Sequence, residues 1–365
     1  MRTIAFYLPQ FHAIPENDKW WGTGFTEWTN VRNAKSQFRG HIQPEEPYAD
    51  NYYNLLDEKA QIWQSDLALE YGIDAFCYYH YWFEGKLLLE KPMENMLNNK
   101  SIRIQYCICW ANETWSRTWD GNETSILIKQ NYSEDELAWK AHFDYLCRFL
   151  KDERYIKVSN KPVLIIYKPQ LITNCKKMLI YWDKLAQNEG FAGLYLGFQH
   201  NSAFEFDMSA LGFDFGIEFE PFYSVRELEL EKRNDKLGLI KRAFIHPSWI
   251  YNLIEVKIFH KPKKYDYKEI WERILSRKRE KNIMPGAFVG WDNTPRMNNK
   301  ATVFVGSTPS RFNDYFSQLY KDAKDNNKDF LFINAWNEWA EGAHLEPDKR
   351  NGYGYLEAIR GQKGK

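Results

Sequence analysis

The sequence predicts an α/β fold, a (β/α)8 TIM barrel forming a single domain over residues 1–365. Three observations carry this reading. Eight short runs rich in β-branched or aromatic residues recur near 2–8, 73–79, 102–109, 162–167, 193–199, 213–219, 286–291 and 329–335. Longer stretches with apolar residues three or four apart lie between most of them. Neither G-x-G-x-x-G nor G-x-x-x-x-G-K-[ST] follows any run, which argues against the competing doubly wound open sheet. Gly22-Thr23-Gly24 lacks the third glycine and the helix start. Strands alternating with helices through eight units are the pattern of a closed barrel.

The elements follow in order. The first run, Arg2-Thr3-Ile4-Ala5-Phe6-Tyr7-Leu8-Pro9, reads as a strand and lacks the long apolar region and small-residue cleavage site of a signal peptide. A cytoplasmic location is therefore expected. Residues 55–71 form the first amphipathic helix, with Leu56, Ala60, Trp63, Leu67 and Tyr71 on one face. Further helices are expected over 134–150, 176–188, 267–281 and 309–324, with Ser133 and Ser307 as N-caps of the second and the last. Such a barrel takes about 250 residues. The remainder goes into long loops after strands one and six, at 11–54 and as an insertion near 221–266. The insertion carries the run Arg226-Glu227-Leu228-Glu229-Leu230-Glu231-Lys232-Arg233. It reads first as a solvated helix face and alternatively as a surface for a partner or a lipid-linked substrate.

Composition removes several function classes. Lys plus Arg and Asp plus Glu both number 49, so the net charge is zero and gives no drive toward nucleic acid. Mean hydropathy is −0.63, and no apolar run approaches the roughly 18 residues of a spanning helix, so no transmembrane segment is expected. Five cysteines, an odd number, argue against a disulfide framework and for a reducing compartment. No H-x-x-x-H, no Asp-x-Asp and no zinc-type Cys/His spacing occurs, so neither a metal nor another cofactor is expected. Aromatic residues are the outlier, at 17% of the chain. They fit either an aromatic-rich core or rings that stack on the C–H faces of sugars.

In a barrel the chemistry sits on the loops that follow the strands. Polar and aromatic residues collect there. The candidate site residues are Tyr7 and His12 after the first strand, with Trp28 in the loop beyond them; Tyr79 and His80 after the second; Trp110, Asn112 and Glu113 after the third; Tyr167 after the fourth; Gln199 after the fifth; Glu218 after the sixth; Trp291 and Asp292 after the seventh; and Trp336, Glu338, Glu341 and His344 after the eighth. Blander readings stand beside several of these. His12, His80 and His200 fit satisfied half-buried rings as well as groups that orient hydroxyls. Trp20, Trp21, Trp28, Trp110, Trp115 and Trp119 fit lids over the barrel as well as a sugar platform. Glu113 either meets a substrate hydroxyl or steadies Arg117. Glu218 and Glu220 alternate, so at most one faces a pocket.

Glu338 and Glu341 are the sharpest pair. On a helical or turn-like backbone, residues three apart face the same way, with Cβ atoms about 5–6 Å apart. Two carboxyls that close in an aromatic pocket split into a neutral acid and an ionised base. Glycosidic bond cleavage needs that division, and retaining enzymes hold their carboxyls about 5–5.5 Å apart. The alternative has one glutamate capping the following helix and the other paired with Arg350.

Longer motifs add a resemblance. I-A-F-Y-L-P-Q-F-H at the start, W-W-G-x-G-F-T-E-W-x-N from Trp20 and Q-P-x-x-P-Y from Gln43 resemble WbsX-type proteins of bacterial polysaccharide clusters. So do Y-G-I-D-A-F-C-Y-Y-H-Y-W-F, C-W-A-N-E-x-W-x-R-x-W-D-G and the closing N-A-W-N-E-W-A-E-G-x-x-L-E-P. The resemblance runs from the first strand to about residue 359. That family is related in turn to glycoside hydrolase family 99, the endo-α-mannosidases and endo-α-mannanases, which are (β/α)8 barrels. The resemblance implies a retaining enzyme acting on a mannan-type glycan in the assembly of a bacterial surface polysaccharide, an O-antigen or a capsule. By position, Glu338 would be the base toward the substrate 2-hydroxyl and Glu341 the acid and then the base for water. Glu113 would hold a substrate hydroxyl. The implied partner is an oligo- or polysaccharide, lipid-linked forms included, and not nucleic acid. Two alternatives stay open: a nucleotide-sugar-dependent glycosyltransferase of the same pathway, and a non-catalytic glycan-binding barrel.

Overall fold

A computed structural model describes residues 1–116, 126–200, 208–234 and 261–363. Eight staves form the barrel: β1 (Arg2–Tyr7), β2 (Ala75–Phe83), β3 (Gln105–Trp110), β4 (Lys161–Ile166), β5 (Tyr195–His200), β6 (Phe215–Glu218), β7 in two halves (Ile283–Met284 and Gly286–Phe288) and β8 (Phe330–Asn334). Each neighbouring pair is parallel. The two halves of β7 flank Pro285. The first pairs with β6 and the second with β8, so this broken stave closes the ring. Gly286 permits the closure: a Cβ there would lie 1.8 Å from the Glu218 carbonyl oxygen.

Side-chain alternation sorts the strands into two faces. Inside the barrel, Phe6 packs on Phe332 at 5.5 Å, Tyr79 at 5.6 Å and Phe219 at 5.4 Å between ring centres. Gly197 on β5 makes room for the Phe215 ring, 2.3 Å from where its Cβ would be. The residues between point out to the helices. Tyr7 donates to Gln64 Oε1 at 2.7 Å on the helix Glu58–Glu70. The aromatic excess is thus spent largely on a close-packed core, in which Trp182, Trp271, Trp336 and Trp339 are all almost wholly buried.

The expected helices are present at Glu58–Glu70, Glu136–Leu150, Cys175–Asn188, Tyr267–Ser276 and Pro309–Asp325. Their caps differ from expectation. Asp135, not Ser133, accepts from the Leu137 N–H, and Ser133 supports Asp135 one step earlier. Thr308, not Ser307, accepts from the Arg311 N–H, with Pro309 opening the helix. The helix from Tyr267 stops at Ser276 because Arg277 turns extended and reaches Glu218 and Glu220, both at 2.9 Å. The charge run on the helix Phe222–Asn234 is more than a solvated face. Its Glu227, Glu229 and Glu231 pair with Arg277, Lys263 and Arg273. Residues 235–260 of the expected insertion lie outside the described residues. All five cysteines are free and buried. Among the described residues no helix is long and apolar enough to cross a membrane.

Candidate active site

A cavity of about 670 Å³ opens at the carboxyl ends of the strands, lined by residues from every stave or the loop that follows it, except β5. The segment after β8 supplies its floor. Asn337–Glu338 pairs antiparallel with Ala343–His344, and Trp339–Glu341 makes one 3-10 turn between them. Gly342 closes the turn at φ +58°, where a Cβ would lie 2.9 Å from both the Asp292 nitrogen and its Cβ. This tight hairpin sets Glu338 and Glu341 on one side, as their spacing requires.

Neighbouring elements clamp the hairpin. Asn337 accepts from the Leu8 N–H at 2.7 Å and donates to the Leu8 carbonyl at 3.0 Å. Asp292 donates its N–H to the Glu341 carbonyl at 2.7 Å. Beneath the turn, buried Glu346 accepts from Trp339 Nε1 at 2.6 Å, Tyr53 at 2.8 Å and Gln64 at 2.7 Å. Burial dominates there, and the Glu346 carboxyl is pushed up to about 7.

The two glutamates share one cation. Arg296, on the short helix Thr294–Met297 after β7, bonds Glu341 through Nη1 and lies 3.2 Å from Glu338 through Nη2. The same guanidinium meets Glu27 at 3.0 Å. Three carboxyl groups therefore surround one positive charge, Glu27 wholly buried and Glu338 and Glu341 at the cavity wall. Burial first, then repulsion by Glu341, raises Glu338 well above the ordinary carboxylate range, against the pull of Arg296. Burial also raises Glu341, again opposed by Arg296. Glu338 is the deeper of the two, with its side chain 9% exposed against 20%. Burial disfavours the Arg296 charge, yet Glu27, Glu341 and Glu338 hold its pKa above the usual value. Both carboxyls are thus held toward their protonated forms, and a close pair of this kind suits the division into one acid and one base that acetal chemistry uses.

Of the candidate residues, the fold brings Tyr79, Glu113, Tyr167, Trp291, Glu338 and Glu341 to this one cavity. Burial, reinforced by nearby ionisable groups, keeps the Tyr79 and Tyr167 hydroxyls protonated. Glu113 is ion-paired with Lys168. Arg117 and Trp119 lie outside the described residues.

The other candidates do not line the cavity, and strand alternation explains several of them. Tyr7 faces Gln64. His80 and Trp110 face the helix Glu136–Leu150, where His80 Nε2 meets His142 Nε2 at 2.9 Å and the Trp110 ring sits 4.7 Å from that of His142. Burial pushes His80 down to about 3, so it is a neutral packed ring. Glu218 turns outward to Arg277 and Arg279. Trp336 packs on Phe76 at 5.0 Å. The remainder brace the cavity's walls. Asn112 staples the β3 and β4 loops through two 2.8 Å bonds to the Lys168 backbone. Gln199 donates to the Tyr79 hydroxyl at 3.2 Å. Trp28 lies 5.3 Å from Trp339 and donates to the Tyr53 carbonyl. His344 stacks on Trp339 at 3.6 Å and meets Glu45 at 2.9 Å. Asp292 accepts from Gln43 and Thr294 and lies 2.6 Å from His41. Burial opposes its charge, and those bonds still hold it below the ordinary carboxylate range. His12 is buried against the Ala13 carbonyl.

Sequence reasoning missed Arg296 and Glu27. Arg296 takes the place that the alternative reading gave Arg350. Glu27 stood in view within the W-W-G-T-G-F-T-E-W segment, but its separation of 269 positions from Arg296 leaves no local pattern. Trp20, Trp21 and Trp115, left open between platform and lid, do line the cavity.

Comparison with known proteins agrees with this architecture. The GH99 endo-alpha-mannosidase structure from Bacteroides thetaiotaomicron superposes with a TM-score of 0.58 at 13% identity, covering 100% of this chain and 96% of that one. A second solved structure, described as a glycoside hydrolase-like protein, gives 0.57 at 11% identity, covering 99% and 93%. At these identities the likeness establishes the barrel fold. The uncharacterized protein WxcX of Xanthomonas campestris pv. campestris, in two strains, is 37% identical over 363 residues, 98% of this chain. The chain spans about half the length of these curated relatives, 49% of each. A sequence model described as glycosyltransferase WbsX matches residues 3–359, and the chain belongs to that family.

Proposed function

We propose that this carbohydrate-active enzyme breaks a glycosidic bond with retention, Glu338 and Glu341 being its working carboxyl groups. The observation that carries the reading is the pair itself: two buried carboxyls bridged by Arg296 in the strand-end cavity. The Glu338 carboxylate takes the proton of the sugar's 2-hydroxyl. O2 then bonds to C1 as the bond from C1 to the leaving oxygen breaks, and Glu341 gives that oxygen its proton. In the second half, Glu341 takes a proton from water or an acceptor hydroxyl. The incoming oxygen bonds to C1, the three-membered ring opens, and O2 regains its proton from Glu338. Each half inverts C1, so the product keeps the starting configuration. This is a substrate-assisted variant of the retaining route. Tyr79, Tyr167, Glu113 and Trp291 hold the sugar.

Burial favours the opposite proton placement in the empty cavity, since Glu338 is the deeper group. A second reading therefore makes Glu338 the acid and Glu341 the base. Glycosides with an activated leaving group separate the two, because such a substrate restores turnover only to the variant that lacks the acid.

The glycan expected is of mannan type, supported by the family 99 likeness of the fold and motifs. Its setting is the assembly of a bacterial surface polysaccharide in the cytoplasm, with lipid-linked precursors among the substrates. The test is mass spectrometry after incubation with α-mannans and lipid-linked glycans in ¹⁸O-water, with and without nucleotide sugars. Label at a new reducing end means hydrolysis. An unlabelled glycan re-joined to a second sugar without any nucleotide sugar means transglycosylation. Elongation only with a nucleotide sugar present means a glycosyltransferase and would overturn the carboxyl roles, as would binding with no product of any kind.

A further inference from the structure

Glu27 does not line the cavity, yet it is wholly buried and touches the cation that both cavity glutamates share. Its Oε2 accepts from Arg296 Nε at 3.2 Å and forms an ion pair with Nη2 at 3.0 Å. Those contacts hold one edge of the guanidinium from behind and leave Nη1 for Glu341 and the rest of Nη2 for Glu338. Glu27 opens the helix Glu27–Asn33 in the loop after β1, and its N–H donates to the Gln10 carbonyl at 3.2 Å. The loops after β1, β7 and β8 therefore meet at this guanidinium.

One guanidinium cannot neutralise three carboxylates. Among the described residues, the charged or titratable groups facing the cluster are Arg296 from the β7 loop, Glu338 and Glu341 from the β8 loop, the Tyr79 and Tyr81 hydroxyls from β2 and the Tyr167 hydroxyl after β4. Of these described groups, Arg296 alone is cationic. With these three carboxyls ionised and Arg296 their one described cation, the cluster would carry two excess negative charges in a mostly buried place, a state that such sites avoid by taking up a proton.

We propose that Glu27 is a positioning residue that fixes the Arg296 guanidinium between Glu338 and Glu341 and, as a third carboxylate on one cation, keeps a proton on that pair. A glutamate acting only as packing would leave the proton where it is. This inference rests on the reading of Glu338 and Glu341 as the working pair.

The test is infrared titration of the protonated-carboxyl band in the full chain, which needs no substrate. Wild type, Glu27→Gln and Glu27→Asp are compared, and Glu338→Gln assigns the band. Two oxygens paired with the same Nη2 lie within about 6 Å of each other. Removing one charge at that range moves the neighbour's titration by about one pH unit or more at an effective dielectric near 20. Glu27→Gln is therefore expected to shift the midpoint down by that amount, with Glu27→Asp staying near wild type. On any glycan that wild type turns over, Glu27→Gln lowers kcat and leaves KM nearly unchanged, because Glu27 is outside the cavity. An unmoved midpoint in Glu27→Gln overturns the proposal. If that variant does not fold, Arg296→Lys serves instead: it loses the fork that spans the pair, the midpoint must rise, and constancy overturns the proposal equally. If wild type turns over no glycan while the midpoints move as stated, the assignment of function fails and the charge coupling stands.

Discussion

Replacing Glu346 with glutamine isolates one buried titration under the turn that joins Glu338 to Glu341. The carboxyl accepts from Trp339, Tyr53 and Gln64 and meets almost no solvent. Burial raises it from its ordinary value to about 7. Its pKa is higher folded than unfolded, so the folded state binds more protons between roughly pH 4.5 and 7. The contribution of this group is therefore fully present below about pH 4.5 and is lost as pH rises through 7. A rise of two to three pH units corresponds to about 3 kcal/mol. Glutamine has the same shape and does not titrate, but it turns an N–H₂ toward donors that expect an acceptor, at a cost of about 1–3 kcal/mol. Glu346→Gln is accordingly expected to be the less stable protein at pH 5 and to close or reverse that gap by pH 8. Urea unfolding at the two pH values measures it, and the other raised carboxyls cancel in the difference. Stability curves for variant and wild type that run parallel from pH 5 to 8 would refute the reasoning.

Other perturbations probe the same hairpin. Asn337→Ala strands the Leu8 N–H and carbonyl and should cost about 2–5 kcal/mol in urea unfolding. Its turnover should fall with it, because Glu338 is the next residue. Gly342→Ala adds a left-handed penalty of about 1–2 kcal/mol and a clash with Asp292. It should weaken glycan turnover more than glycan binding, since the turn carries Glu341. Tyr79→Phe keeps the core ring and removes one hydroxyl from the cavity; calorimetry should show glycan affinity down by about 1 kcal/mol, and stability should fall by about 1–3 kcal/mol because buried Gln199 loses its acceptor.

The barrel was legible because its strands are buried on both faces and so read as dense β-branched and aromatic runs. All eight staves fall within a few residues of those runs. The break at Pro285 was not visible as the closure, since nothing local says that one strand pairs with different neighbours on either side of a proline. The site was legible where chemistry is local. Glu338 and Glu341 lie three apart in one turn, and the rings of Tyr79, Tyr167 and Trp291 end inward-facing registers. It was overread wherever two adjacent strand residues were both taken: Tyr79 faces in, so His80 must face out, and Phe6 displaces Tyr7 in the same way. Arg296 and Glu27 were missed because their meaning lies in a contact across most of the chain.

The most direct test compares wild type, Glu338→Gln and Glu341→Gln on one glycan that wild type converts, with binding and folding followed in parallel. The account predicts that each variant keeps its fold and its glycan affinity while turnover falls at least about 100-fold. Near wild-type turnover in both variants would contradict it.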